Sequence, residues 1–541
     1  MRSRDFLFLL LCAGALWAFQ ANVFPSAEPR IKSLASVRLD NDDWRATVER
    51  VDAAFNDSWR EQHAEPATVA SDLAVARRVS LALTGTIPSL EEIRHFESLQ
   101  PDERLERWIA ERLADRRYAD YVAERLARAT VGVEDGPFLL YRRRRFVAWM
   151  SDQLAANQPY DGLVRHLIAD SGLWTDTPAT NFITVTIQPE QNKGPDPNQL
   201  AARVSRAFLG VRMDCAECHD HPFEPWKQRD FQSLAAFFGQ TRHSLRGIRD
   251  VTGAYEVEDA KTGEARFVVC QVPFSKELLS DKGSSRQRLA AWVTHPANRF
   301  FARETANRAW ALLFGRPLVE PVDNLSTSAP LPLVLEILAN DFAAYGFDWQ
   351  RLLTVIASTR VFRLDSKSAA DTEGGDDAAP NTVAWAEFPL TRLRPEQVVG
   401  ALLQSASLAT IDAESQILVR LARAIGQREF VERYGDSGAE EFEPHGGTIP
   451  QRLLMMNGKI VGEKTKDSLL GNAATRIAVL APDDATAIEV AFLAVLTRRP
   501  NDMEAGHFAQ RLAGSTGSER NRRLGDLVWA LLNSTEFSWN H

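Results

Sequence analysis

The sequence predicts a mainly α protein, with two helical domains joined by a short β-hairpin segment. Three observations lead there. Apolar residues recur at helical spacing along most of the chain. Between Tyr255 and Val272 the texture changes to alternation around a glycine, which is the pattern of a hairpin. And 541 residues exceed what one core sustains, so a division is expected on size alone.

The elements follow in order. Arg2 and Arg4 precede an apolar run from Phe6 to Phe19, and residues 1–24 are assigned to a signal peptide or membrane anchor. Phe19 before Ala21 suits cleavage poorly, which keeps an uncleaved tether open, although the run is short for a full span. The first domain is placed at 45–245. Within it, Arg77–Leu83 is amphipathic and stops at Thr84-Gly85. Ser89 reads as an N-cap with Glu91 and Glu92 in the following first turn. Leu105–Leu126 and Phe138–Leu154 are helix-periodic, Lys193–Pro197 is a loop, and Leu200–Gly210 and Phe231–Gly239 are helices.

The connection, 246–280, holds the hairpin: Tyr255–Glu258, a turn with Gly263, then Arg266–Val272. The second domain, 281–541, is helical from Arg286 onward. An acidic, glycine-rich stretch near 367–382 interrupts it and is expected to be mobile. Arg142–Arg145 reads as a solvated helix face with one or two salt bridges. Arg303 and Asn307 share a helix face and read as packing and interhelical hydrogen bonding.

Composition excludes some functions. Apolar content of 45% and charged content of 25% are ordinary for a globular protein. A net charge of −9 gives no electrostatic basis for nucleic acid as a partner. Four cysteines in this length do not make a disulfide scaffold. G-x-S-x-G, Walker, G-x-G-x-x-G and H-E-x-x-H patterns are absent.

The chemistry concentrates at Cys215-Ala-Glu-Cys218-His219. C-x-x-C-H is the attachment pattern of c-type haem. On one helical turn, two thiols three residues apart reach two haem vinyl groups, and the next imidazole turns to the iron. The same spacing serves a metal knuckle or a redox pair. His221 sharpens the metal alternative: Cys215, Cys218 and His221 with distant Cys270 would complete a zinc site, with His219 or His221 as the local imidazole. Against that, His221 also reads as a loop histidine bonded to backbone, and Cys270 as a small buried hydrophobe. A haem would need a second axial ligand, and no methionine lies between Met213 and Met455. His243, His295 and Met455 are the candidates.

The stretch Phe208–Trp226, with Asp230-Phe231 and Ala236-Phe237-Phe238, resembles the core of a planctomycete cytochrome-like domain. Arg78–Pro88 and Pro159–Arg165 resemble its upstream part. Asn307-Arg308-Ala309-Trp310, Phe314-Gly315-Arg316, Val319–Asp323, Ser358-Thr359-Arg360, Leu496–Pro500 and Trp529–Phe537 resemble its usual C-terminal partner domain. The likeness covers about residues 50–541, a PSCyt-type domain followed by a PSD-type domain. It implies this architecture and an exported protein. The family's cytochrome label rests mainly on the C-x-x-C-H pattern.

The function expected is therefore an exported haem c protein of the periplasm or cell envelope, engaged in electron transfer or redox chemistry. Cys215 and Cys218 would anchor haem and His219 would ligate iron. Its partner would be a redox or cell-envelope protein, with an N-terminal membrane tether open. The alternatives are a scaffold with structural zinc and an extracytoplasmic enzyme of unknown substrate.

Overall fold

The structure is a computed structural model and describes residues 43–133, 141–188, 194–258, 263–325, 330–366, 385–412, 415 and 472–541. The leader at 1–24, the acidic stretch near 367–382 and Met455 lie outside the described residues.

The first helices are α1 (Asp43–Gln62), α2 (Asp72–Thr84), α3 (Leu90–Ser98), α4 (Arg104–Ala114), α5 (Arg116–Val131), α6 (Arg143–Ala155), α7 (Tyr160–Ala169), α8 (Asn181–Thr184), α9 (Pro197–Leu209) and α10 (Gln228–Ala235). Two antiparallel hairpins follow: β1 (Thr241–Ser244) with β2 (Gly247–Asp250), and β3 (Tyr255–Glu258) with β4 (Ala265–Val268). Then come α11 (Ser285–Val293), α12 (Arg299–Phe314), α13 (Leu333–Ala344), α14 (Trp349–Ser358), α15 (Arg360–Arg363), β5 (Thr391–Arg392) and α16 (Pro395–Ser405). The chain closes with α17 (Ala473–Leu480), α18 (Asp484–Leu496), α19 (Asp502–Leu512), α20 (Gly517–Leu532) and β6 (Trp539–Asn540), which pairs with β5. The fold is mainly α, as expected.

Local chemistry sets the boundaries. Ser89 and Glu92 form a reciprocal capping box at the start of α3: Ser89 Oγ accepts from the Glu92 amide at 3.0 Å and Glu92 Oε2 from the Ser89 amide at 2.9 Å. Gly85 ends α2 in the left-handed conformation, with φ of 66°. A Cβ there would also stand 2.5 Å from the Tyr121 ring. The expected hairpin is present in the register Tyr255↔Val268 to Glu258↔Ala265. An additional hairpin precedes it, and Ile248 of β2 bridges to Gly172, extending the pairing to the loop after α7.

Among the described residues, two large clusters of buried residues and a small third one of Val399 and Leu403 make the interior. The largest draws on residues from Trp44 to Phe388, and the second on Leu81 and Ile87 with residues from Leu393 to Phe537. Separate cores for 45–245 and 281–541 were expected, and the burial corrects this. The buried stripe of α1 (Trp44, Val51, Phe55, Trp59) packs on α13 and α14 of the second segment. Phe55 reaches the Trp310 ring at 5.8 Å, and Thr47 Oγ donates to Asp341 at 2.6 Å. Periodicity shows which face a helix buries but not which partner covers it.

Charge is buried as well. Arg77 and Arg78 on α2 are within 1% of complete burial. Arg78 donates to the carbonyls of Phe362, Leu364 and His541, and its guanidinium lies 3.8 Å from the Phe388 ring centroid. Of the arginine run, Arg144 and Arg145 are exposed, while Arg143 pairs with Glu124 at 2.9 Å. Arg303 pairs with Glu336, and Asn307 bonds both ways to the backbone of Val319. No described helix is long and apolar enough to cross a membrane.

Candidate functional site

The cysteine motif sits between two anchors. Helix α9 ends at Gly210, which has a φ of 59° and whose carbonyl accepts the Leu325 amide at 2.7 Å. Met213 and Ala216 are buried and pin the next turn to the core. That turn, Asp214–Glu217, is 3-10 helical rather than α. The Cys218 and His219 amides both point to the Cys215 carbonyl, at 3.4 and 3.3 Å. Cys215, Cys218 and His219 are exposed, and neither cysteine is in a disulfide.

The second anchor is the start of α10. The Gln228 amide donates to Asp220 Oδ1 at 2.9 Å, while its side-chain Nε2 donates to the carbonyls of Cys218 at 3.0 Å and Glu217 at 3.3 Å. One residue thus holds the loop at three points, Glu217, Cys218 and Asp220. No sequence signal marks this role, since a glutamine at a helix start has no distinguishing spacing. Asn198 links Glu217 to Tyr255 of β3, and burial, with Asp196 and Glu217 nearby, raises the Tyr255 pKa.

The two histidines of the loop have opposite assignments. His219 Nδ1 lies 2.8 Å from the Asp220 carbonyl, an acceptor only, so Nδ1 carries the proton and Nε2 keeps its lone pair. A backbone carbonyl on the second nitrogen is the usual support of a metal-ligating imidazole. His221 Nδ1 instead accepts the amides of Glu224 at 3.0 Å and Phe223 at 3.3 Å. Its proton is therefore on Nε2, and the histidine serves the turn, as the loop reading anticipated.

The four-donor zinc set is not brought together. Among the described residues no group of three or more His, Cys, Asp and Glu side chains is arranged to hold a metal ion. Cys270 is half-buried against the main core, with Sγ 3.9 Å from Ser285 Oγ, and burial raises its thiol pKa. Tetrahedral zinc needs about four protein donors at one point. The other axial candidates divide likewise. Burial lowers the His243 pKa and favours the neutral ring, whereas His295 Nδ1 is committed to the Ala297 amide at 3.1 Å.

A part-buried ion triad fixes the motif to the second segment. Asp323 receives Arg206 Nε and Arg212 Nε, each at 2.8 Å. Burial pushes its carboxyl pKa up, and the two guanidiniums overcome this and hold it low.

The Gln228 clamp is open to test. Gln228→Leu keeps the amide bond to Asp220 but removes both carbonyl contacts, at a cost of about 1 kcal/mol. The His219 ring is then expected to distribute between tautomers, read from its nitrogen NMR shifts. Unchanged shifts would show that the clamp does not reach His219.

Two families match the chain. PSCyt2, a protein of unknown function (DUF1549), matches residues 50–243, and PSD1, also of unknown function (DUF1553), matches residues 285–424. No curated protein and no solved structure matches. The motif lies in the first matched segment and Asp323 in the second.

Proposed function

The chain belongs to the two-domain family in which a PSCyt2 segment precedes a PSD1 segment, and since that family's function is unknown, we propose a reading from the site: an exported protein that holds haem c at Cys215, Cys218 and His219 and takes part in electron transfer. The observation that carries it is the His219 assignment, an exposed imidazole with Nδ1 fixed to a backbone carbonyl and Nε2 available, next to two exposed thiols.

The donors suit haem better than zinc for a geometric reason. Haem supplies four iron ligands itself, and its vinyl groups lie at the ring edge, away from the iron. The two sulfurs and the imidazole therefore need not converge on one point. When bound, haem supplies a one-electron couple at iron. The chain's own part is to fix the thiols on one turn, to orient His219 through the Asp220 carbonyl and to hold that loop by Gln228. Export is supported by Arg2, Arg4 and the apolar run to Phe19.

The test is attachment. Matured in a host that exports and attaches haem, the intact chain is expected to carry haem that survives denaturing electrophoresis. Cys215→Ser with Cys218→Ser abolishes attachment. His219→Ala keeps the haem attached and alters its spectrum. A chain lacking residues 1–24 stays in the cytoplasm without haem. A colourless, metal-free protein with two titratable thiols would leave a redox pair in place of the haem reading.

A further inference from the structure

The turn after the motif displays a phenyl ring. Phe223 is 91% exposed and lies four positions after His219, which like Cys215 and Cys218 is exposed. The turn is not loose. Pro222 and Pro225 flank Phe223 and Glu224 and restrict the backbone. His221 closes the turn by accepting the Phe223 and Glu224 amides and donating its own amide to the Trp226 carbonyl at 2.8 Å. Trp226 is itself buried, 6.0 Å from the Phe274 ring. A large apolar side chain carried on a backbone already restricted loses less entropy on being covered than one on a loose loop, and this favours an interface anchor.

The rim is acidic. From Asp214 to Asp230 the chain carries Asp214, Glu217, Asp220, Glu224 and Asp230 against Lys227 and Arg229, a net of −3 with neutral histidines. Arg206 and Arg212, on the inner side, face Asp323 and Asp214.

We propose that this turn is the docking point for a protein partner with a basic face around an apolar pocket, Phe223 filling the pocket. The inference rests on the electron-transfer reading, in which the partner exchanges electrons with the group at His219. The charge selects among occupants. An acidic rim is repelled by anionic lipid, and two copies of it would oppose like charge, whereas a basic face is attracted and steered.

The experiment titrates the chain with a small basic c-type cytochrome as probe. Binding is expected to weaken at least tenfold between about 20 and about 200 mM salt, as the screening length falls below about 10 Å. Phe223→Ala should weaken it about tenfold with an unchanged thermal midpoint, and Glu217→Lys should slow association severalfold at low salt. Equal binding by Phe223→Ala, equal binding of an acidic ferredoxin, or Phe223-dependent uptake onto zwitterionic vesicles would each overturn the proposal. The same titration on the Cys215→Ser, Cys218→Ser chain, which cannot attach haem, reads the docking turn alone. In the native chain, absence of haem with Phe223-dependent binding refutes only the haem reading, and attached haem without Phe223-dependent binding refutes only the docking site.

Discussion

Arg286→Met is expected to destabilise the protein by about 3–5 kcal/mol, because it leaves buried acceptors facing a side chain that cannot donate. Arg286 opens α11 and has no exposed side-chain surface. Its Nε bonds Asp250 at 2.7 Å, its Nη1 the carbonyls of Asp170 at 2.7 Å and Ile168 at 3.1 Å, and its Nη2 Ser171 Oγ at 2.9 Å. One guanidinium thus joins the end of α7, strand β2 and the first helix of the second segment. Methionine fills the volume without the bonds. Lysine restores the charge but not the fork, so Arg286→Lys should recover only a minor part. The midpoint of thermal unfolding reads the effect, and a change worth less than about 1 kcal/mol would refute this account.

Glu92→Ala is expected to cost a similar 3–5 kcal/mol, on the order found when one member of a buried ion pair is removed. Glu92 contacts both Arg112 and Arg117, and all three are buried. Arg117 also bonds Asp115 at 2.6 Å, and Arg112 lies over the Trp108 ring. Burial alone would raise the Glu92 pKa, but the two guanidiniums more than reverse it, and the carboxyl stays below its usual 4.5. The sign follows. A depressed folded pKa adds stability above the unfolded value, and that stability is lost as pH falls below about 4.5. Acidification should therefore lower the unfolding midpoint of the native chain more than that of Glu92→Gln. Parallel curves would argue against the pair.

Local signals were legible in the sequence and distant pairings were not. Ser89 with Glu92 and the stop at Gly85 are written within a few residues, and both stand as expected. So does the Tyr255–Val268 pairing. The hairpin Thr241–Asp250 has no clean alternation, and its bridge to Gly172 comes from far up the chain. Arg77 and Arg78 look like the polar face of an amphipathic helix, yet they are buried, because Arg78 finds carbonyls at Phe362, Leu364 and His541. At the motif, residue types and spacing marked Cys215, Cys218 and His219. The engagement of His221 Nδ1 by the Glu224 and Phe223 amides is something only the folded turn reveals.

The bond from Arg78 to the carbonyl of His541 spans 463 positions, and Arg77 reaches the Phe537 carbonyl across 460. Helix α2 therefore cannot be satisfied until the chain has been made as far as residue 541. Until then two guanidiniums stay solvated and the surrounding apolar faces remain open. Contacts this distant make folding slow and late, after synthesis rather than during it.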